Sequence, residues 1–212
     1  MRVLTPKTIY REITAVGLLM ASHPIDWLVR QMPQPRPISA DDPIILSHGH
    51  GGTRSSLFGL ASYLRLSGFS NLHFFEYPRR QSVARSTAQI AELAERVGAK
   101  SGGVHLIGHS MGGYLSRRYA RSAPPGAVRS LITLGSPYSI DQRSPRELAI
   151  FGDEDPIILA PERRQIRPEM FRELVILDGT GHLALVYHPE ALKRVELELN
   201  SNSRSRQGAG LH

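Results

Sequence analysis

From Pro43 onward the chain alternates short apolar runs with stretches of helical periodicity, and this alternation narrows the fold more than any other feature. "PIILS" is a buried-strand pattern, and "SSLFGLASYLRLSGF" then places Leu57, Leu60, Ala61 and Leu64 on one helical face. "NLHFFEY" reads as a second strand, followed by "RSTAQIAELAERVGA", which repeats Ile90, Leu93, Ala94 and Val97 at helical spacing. "GVHLIG" and "MGGYLSRRYARS" continue the pattern, then the strands "VRSLITL", "ELAIFG" and "ELVILDG", and last the helix "PEALKRVELEL". Strands separated by helix-length crossovers form parallel sheets, because a tight hairpin can only reverse the chain. The expectation is an α/β fold: a minimal, mostly parallel sheet of about six strands flanked by helices on both faces.

The ends differ from this core. Residues 1–42 read as an amphipathic helical arm followed by a proline-rich linker, "QMPQPRPISADDP". The apolar stretch "ITAVGLLMASHPIDWLV" is broken by His23, Pro24 and Asp26, short of the ~20 residues a membrane span needs. A signal peptide would need a cleaner small-residue cleavage site than this arm offers. A cytoplasmic or peripherally membrane-associated protein is favoured, with secretion as the alternative. Such an arm is expected to lie on the domain or on a lipid surface and to be dispensable for what the domain does. Residues 43–199 form the domain, and the polar tail 200–212 is expected to be disordered. The net charge of +7 is carried mostly by scattered arginines rather than by a basic stripe interleaved with aromatics, so nucleic acid is not the expected partner. The absence of cysteine excludes disulfides, iron–sulfur clusters and thiolate metal sites.

Within this frame, "GHSMG" at 108–112 fits G-x-S-x-G, with a strand before it and a helix after it, as the motif requires. Ser110 is then a candidate nucleophile on a cramped turn, and the flanking glycines let backbone and helix approach. Of the nine histidines, His182 in "LDGTGHLAL" follows the last strand, on the sheet edge where open parallel sheets gather their active sites. His188, beside Pro189, is its competitor. The chain order Ser, Asp, His calls for an acid after the preceding strand. "GDEDPII" supplies Asp155, with Asp153 in reserve. Oxyanion donors are expected at the backbone N–H of Met111 and, in "HGHGG", at that of His50. His48 and His50 could begin a zinc site, but no third ligand follows at a recognisable spacing, and the loop lacks a phosphate-binding signature. No cofactor or metal is expected.

The segments "HGHGG", "GHSMGG", "GDEDPII" and "GTGHLALVY", in this order, resemble the α/β-hydrolase superfamily, and within it the small lidless bacterial lipases of the Bacillus type. The likeness runs from about residue 43 to 199. It implies carboxylic-ester hydrolysis, lipase- or esterase-like, through an acyl-enzyme on Ser110 with Asp155 and His182. The oxyanion hole would lie at His50 and Met111, and the substrate would be a small ester or lipid. An acyltransferase or thioesterase on the same scaffold, or a non-catalytic binding module, are the alternatives. Only "YSIDQRSPR" stands where larger relatives insert a cap, so no cap domain is expected. The arm and the basic loop "APERRQIRPEM" have no counterpart in the resemblance.

Overall fold

The computed structural model describes residues 5–31, 42–138, 147–161 and 170–209. Six strands build one sheet: β1 (Ile44–Ser47), β2 (Leu72–Phe75), β3 (Val104–His109), β4 (Val128–Leu134), β5 (Glu147–Gly152) and β6 (Glu173–Leu177). Their spatial order is β2-β1-β3-β4-β5-β6, and every neighbouring pair is parallel. The helices are α1 (Pro6–Gln31), α2 (Phe58–Leu66), α3 (Val83–Gly98), α4 (Met111–Ser122) and α5 (Pro189–Ala209), with short 3₁₀ turns at Arg54–Leu57 and Leu183–Val186.

Strand side chains alternate between two cores, as the two-residue period of a strand requires. Ile44 and Leu46 of β1, Ile107 of β3 and Ile150 of β5 pack with Leu60 and Leu64 of α2 and with Ala191 and Val195 of α5. On the other face Ile45 of β1 and Leu106 of β3 pack with Ile90 and Ala94 of α3 and with Leu115 and Tyr119 of α4. Both faces are covered, which is why these strands read as continuous apolar runs. Only twelve residues separate β4 from β5, so no cap domain can be inserted there.

Strand order reverses between β1 and β3, so the crevice beyond their carboxyl ends is where such a sheet binds its ligands. The segments after β1, β3, β4, β5 and β6 all emerge at that edge. α1 lies against it too, packing on both 3₁₀ turns and on α2. It buries Thr8 and Ala15 on the docked side and leaves Ile9, Tyr10, Ile13, Val16 and Leu18 more exposed. No described helix is long and apolar enough to cross a membrane.

At the C-terminal end α5 runs from Pro189 to Ala209. The cap-position segment 139–146 and most of the basic loop (162–169) lie outside the described residues.

Candidate active site

The site is assembled from loops at the carboxyl ends of the strands. Ser110 joins β3 to α4 with φ 53° and ψ −124°, and it is the one non-glycine residue with positive φ among those described. Such a conformation costs about 1–3 kcal/mol and persists only when its surroundings over-determine it. Here they do. The Ser110 N–H donates to the Leu134 carbonyl at 2.8 Å, and the Ser110 carbonyl accepts from Gly113 N at 3.0 Å and Tyr114 N at 3.2 Å. The glycines of the motif allow this close approach: a Cβ on Gly108 would lie 2.4 Å from Gly113, and one on Gly112 would lie 2.2 Å from the Ser47 carbonyl oxygen. Ser110 Oγ makes no hydrogen bond among the described residues, and α4 begins immediately beyond it. The backbone N–H of Met111 is therefore the first of α4's unsatisfied amide donors, at the positive end of the helix dipole.

The loop after β1 closes over the serine. Gly49 is so near that a Cβ there would meet Ser110 Cβ at 3.1 Å and Oγ at 3.6 Å. His50 follows on a turn closed by Gly52 N donating to the Gly49 carbonyl at 3.0 Å, with its side chain exposed. His48 has a different task from metal binding. Its buried ring stacks on Tyr77 at 4.6 Å, its Nδ1–H donates to the Gly49 carbonyl at 2.8 Å, and the Tyr77 hydroxyl donates to the His48 carbonyl at 2.9 Å. Burial pushes the imidazole pKa of His48 down, keeping the neutral ring that this packing suits.

The acid and base positions meet across β5 and β6. His182 Nδ1 and Asp155 Oδ2 are 2.6 Å apart, with His182 5% and Asp155 2% exposed. The other Asp155 oxygen accepts from the N–H groups of Ile157 and Ile158, each at 2.8 Å, so the carboxylate is fixed from both sides. Asp153 is used elsewhere: its Oδ1 accepts from Thr180 N at 3.3 Å. His188 is not brought into this pair. It stands just before α5 with Nδ1 buried and unpartnered, and burial followed by the charge of Arg11 lowers its pKa.

Two residues matter here that the sequence reading passed over. His109 donates from Nε2 to the His182 carbonyl at 3.1 Å and packs its ring 4.7 Å from that of His182. Full burial, then the nearby His182, depress its pKa to about 3, so it is a neutral donor at any working pH. Gly135, with φ 52°, lies where a Cβ would be 3.1 Å from Asp155 Oδ2 and 3.3 Å from His182 Nδ1. Because Ser110 N bonds to Leu134, this glycine links the Ser110 turn to the Asp155–His182 pair.

Residues 43–157, more than half of the chain, match the palmitoyl protein thioesterase family. The chain belongs to that family. The matched span runs from β1 to just past Asp155, so it contains Ser110, Met111 and the His50 loop but not His182. No curated protein matches the chain. Solved structures share its α/β-hydrolase fold. An α/β-hydrolase enzyme from a lagoon-sediment metagenome is 18% identical with a TM-score of 0.60, over 79% of this chain and 92% of that one. A structure from a study of carboxylesterases of the thaumarchaeon Nitrososphaera gargenis is 15% identical with a TM-score of 0.60, over 81% and 94%. An α/β serine hydrolase without a lid, from Xanthomonas campestris, is 20% identical with a TM-score of 0.52, over 81% and 86%. The family and the fold together make this an α/β-hydrolase of the esterase and lipase type.

Proposed function

We propose that the chain hydrolyses carboxylic esters through an acyl-enzyme on Ser110. His182 takes the Ser110 hydroxyl proton as Oγ attacks the acyl carbonyl, and Asp155 holds the imidazole tautomer and stabilises the imidazolium. The N–H groups of Met111 and His50 receive the developing oxyanion. His182 then protonates the leaving alcohol. A water, deprotonated by the same histidine, next attacks the acyl carbon and releases the acid and free Ser110. The observation that carries this reading is the buried 2.6 Å contact between His182 Nδ1 and Asp155, at the sheet edge where Ser110 sits strained at φ 53°.

A second reading has its own support. The family match favours a thioester substrate, for which the same groups serve with a thiol leaving in place of an alcohol. A thiolate leaves more readily than an alkoxide, so proton delivery by His182 matters less for that bond.

The test is to treat the purified protein with a fluorophosphonate probe, map the adduct by mass spectrometry, and compare matched acyl chains presented as p-nitrophenyl esters and as thioesters. A single adduct on Ser110 with ester turnover supports the proposal, and a large preference for thioesters of the same chain length moves the substrate to the second reading. Ser110→Ala should lower kcat by about 10⁴ to 10⁶. Undiminished turnover in that variant would overturn both.

A further inference from the structure

The geometry points to Glu12, seconded by Arg11, as positioning residues that hold the loop of the general base in register with the acid. The inference rests on His182 being that base. The loop Asp178–His182 contains two glycines and is gripped by α1 on either side of the histidine. On the near side, Arg11 Nη1 donates to the carbonyls of Asp178 at 2.8 Å and Gly179 at 2.7 Å and to the Thr180 hydroxyl at 3.1 Å, while Lys7 pairs with Asp178 at 3.0 Å. On the far side, the Glu12 carboxylate accepts from Leu183 N at 3.1 Å and Ala184 N at 2.8 Å. These are the first two amides after His182, and no turn of their own would satisfy them at the start of the 3₁₀ segment. Gly181 and His182 thus lie between two clamps.

The loop is contoured for this contact. A Cβ on Gly181 would lie 2.7 Å from Glu12 Cγ, Cδ and Oε1, and one on Gly179 would lie 3.0 Å from Lys7 Cδ. Gly181 is outside the positive-φ set, so its lack of a side chain answers to Glu12 rather than to backbone conformation. The residue leading into the same helix reaches the acid loop, where Thr5 N donates to Glu154 Oε2 at 2.7 Å and holds that carboxyl below its usual pKa range. One helix therefore ties down both loops that meet in the Asp155–His182 contact. On this inference the arm is part of the site rather than an accessory to it.

The experiment compares wild type, Glu12→Ala, Gly181→Ala and the double variant, with Thr14→Ala on the exposed side of α1 as control. Turnover of a short p-nitrophenyl ester, the rate of fluorophosphonate labelling and the low-field proton resonance of a carboxylate-bound imidazole N–H are followed. Misplacement of a reacting group by about 1 Å costs up to about 10²-fold. Glu12→Ala should lower kcat about 10- to 100-fold with KM within about 3-fold, slow Ser110 labelling in parallel, and broaden or lose the low-field resonance. Gly181→Ala, which leaves Glu12 chemically intact but pushes it aside, should reproduce the loss. The double variant should fall no more than about 3-fold below Glu12→Ala, because both act through one contact. Thr14→Ala should match wild type.

A folded Glu12→Ala protein with wild-type kcat and labelling rate, or losses that multiply in the double variant, would overturn the inference. Should Glu12→Ala fail to fold, Gly181→Ala and Glu12→Gln, which keeps one acceptor oxygen, carry the same comparison. A wild-type protein that neither labels at Ser110 nor depends on His182 would instead defeat the functional proposal, so the two failures read differently.

Discussion

Gly135→Ala is the substitution whose consequences the structure defines most sharply. Gly135 adopts φ 52°, so alanine there incurs about 1–2 kcal/mol of left-handed strain. Its new Cβ would also stand 2.8 Å from Leu185 Cδ1, 3.1 Å from Asp155 Oδ2 and 3.3 Å from His182 Nδ1. Leu185 can shift a methyl group, but the carboxylate and the imidazole are held by other bonds and must part by a few tenths of an ångström. Overpacking of this kind adds about 1–3 kcal/mol. The total of about 2–5 kcal/mol should lower Tm by roughly 4–20 °C, at about 2–4 °C per kcal/mol for a chain of this size. Because the intrusion is aimed at the acid–base contact, kcat should fall as well, by up to about 10²-fold. Gly126→Ala separates the two effects. Gly126 has φ 84° and nothing within 4 Å of its Cβ position, so that variant carries the strain alone. It should lose about 2–8 °C in Tm and keep wild-type kcat. Thermal unfolding and steady-state ester turnover on both variants make the comparison. If Gly135→Ala retained kcat within about 2-fold while losing no more stability than Gly126→Ala, Gly135 would not be the space-maker for this pair.

Three further outcomes follow from the same geometry. Asp155→Asn should drop kcat by about 10⁴ by losing the preferred imidazole tautomer, whereas Asp153→Asn, whose Oδ1 accepts from Thr180 N rather than from the imidazole, should stay within a few-fold of wild type. His109 has a folded pKa of about 3 against about 6.5 when unfolded, so below pH 6.5 the unfolded state binds the extra proton and stability falls with pH down to about 3. By pH 5 this amounts to about 2 kcal/mol, and His109→Asn should show a correspondingly smaller loss of Tm between pH 7 and pH 5; equal losses would contradict it. Arg117 is buried, with Nε 2.7 Å and Nη2 2.5 Å from the oxygens of fully buried Glu147. Glu147→Gln strands that guanidinium and should cost about 3–5 kcal/mol, visible as a Tm loss of roughly 6–20 °C, and a near-neutral result would mean the pair is less isolated than its burial indicates.

The parts of this molecule that were legible in the sequence share a physical origin. A strand buried on both faces must be apolar throughout, and a cramped elbow needs glycines, so β1, β3 and Ser110 announce themselves within a few residues of chain. The order in which loops leave a parallel sheet, a rule about topology, pointed to His182 and Asp155, and their side chains lie 2.6 Å apart. What stayed hidden depends on contacts whose two halves are far apart and chemically ordinary. Glu12 looks like any polar residue on an amphipathic helix, and nothing near it in sequence reveals that its partners are the backbone amides of Leu183 and Ala184, 171 and 172 residues away. The glycines of "GTGH" gave half of the signal, but they read equally well as a flexible loop. His109 was hidden for a related reason, since its partner is a carbonyl oxygen and carbonyls carry no sequence signature. The consequence is specific to the arm. Periodicity could say that residues 6–31 form a helix with an apolar side, yet it could not say which side docks. The docked side proves to be the charged one, carrying Lys7, Arg11 and Glu12 onto the base loop, while Ile9 and Ile13 face outward. An arm docked through its apolar stripe could be removed as a cover is lifted. One docked through ion pairs and backbone amides at the base loop is part of the catalytic frame.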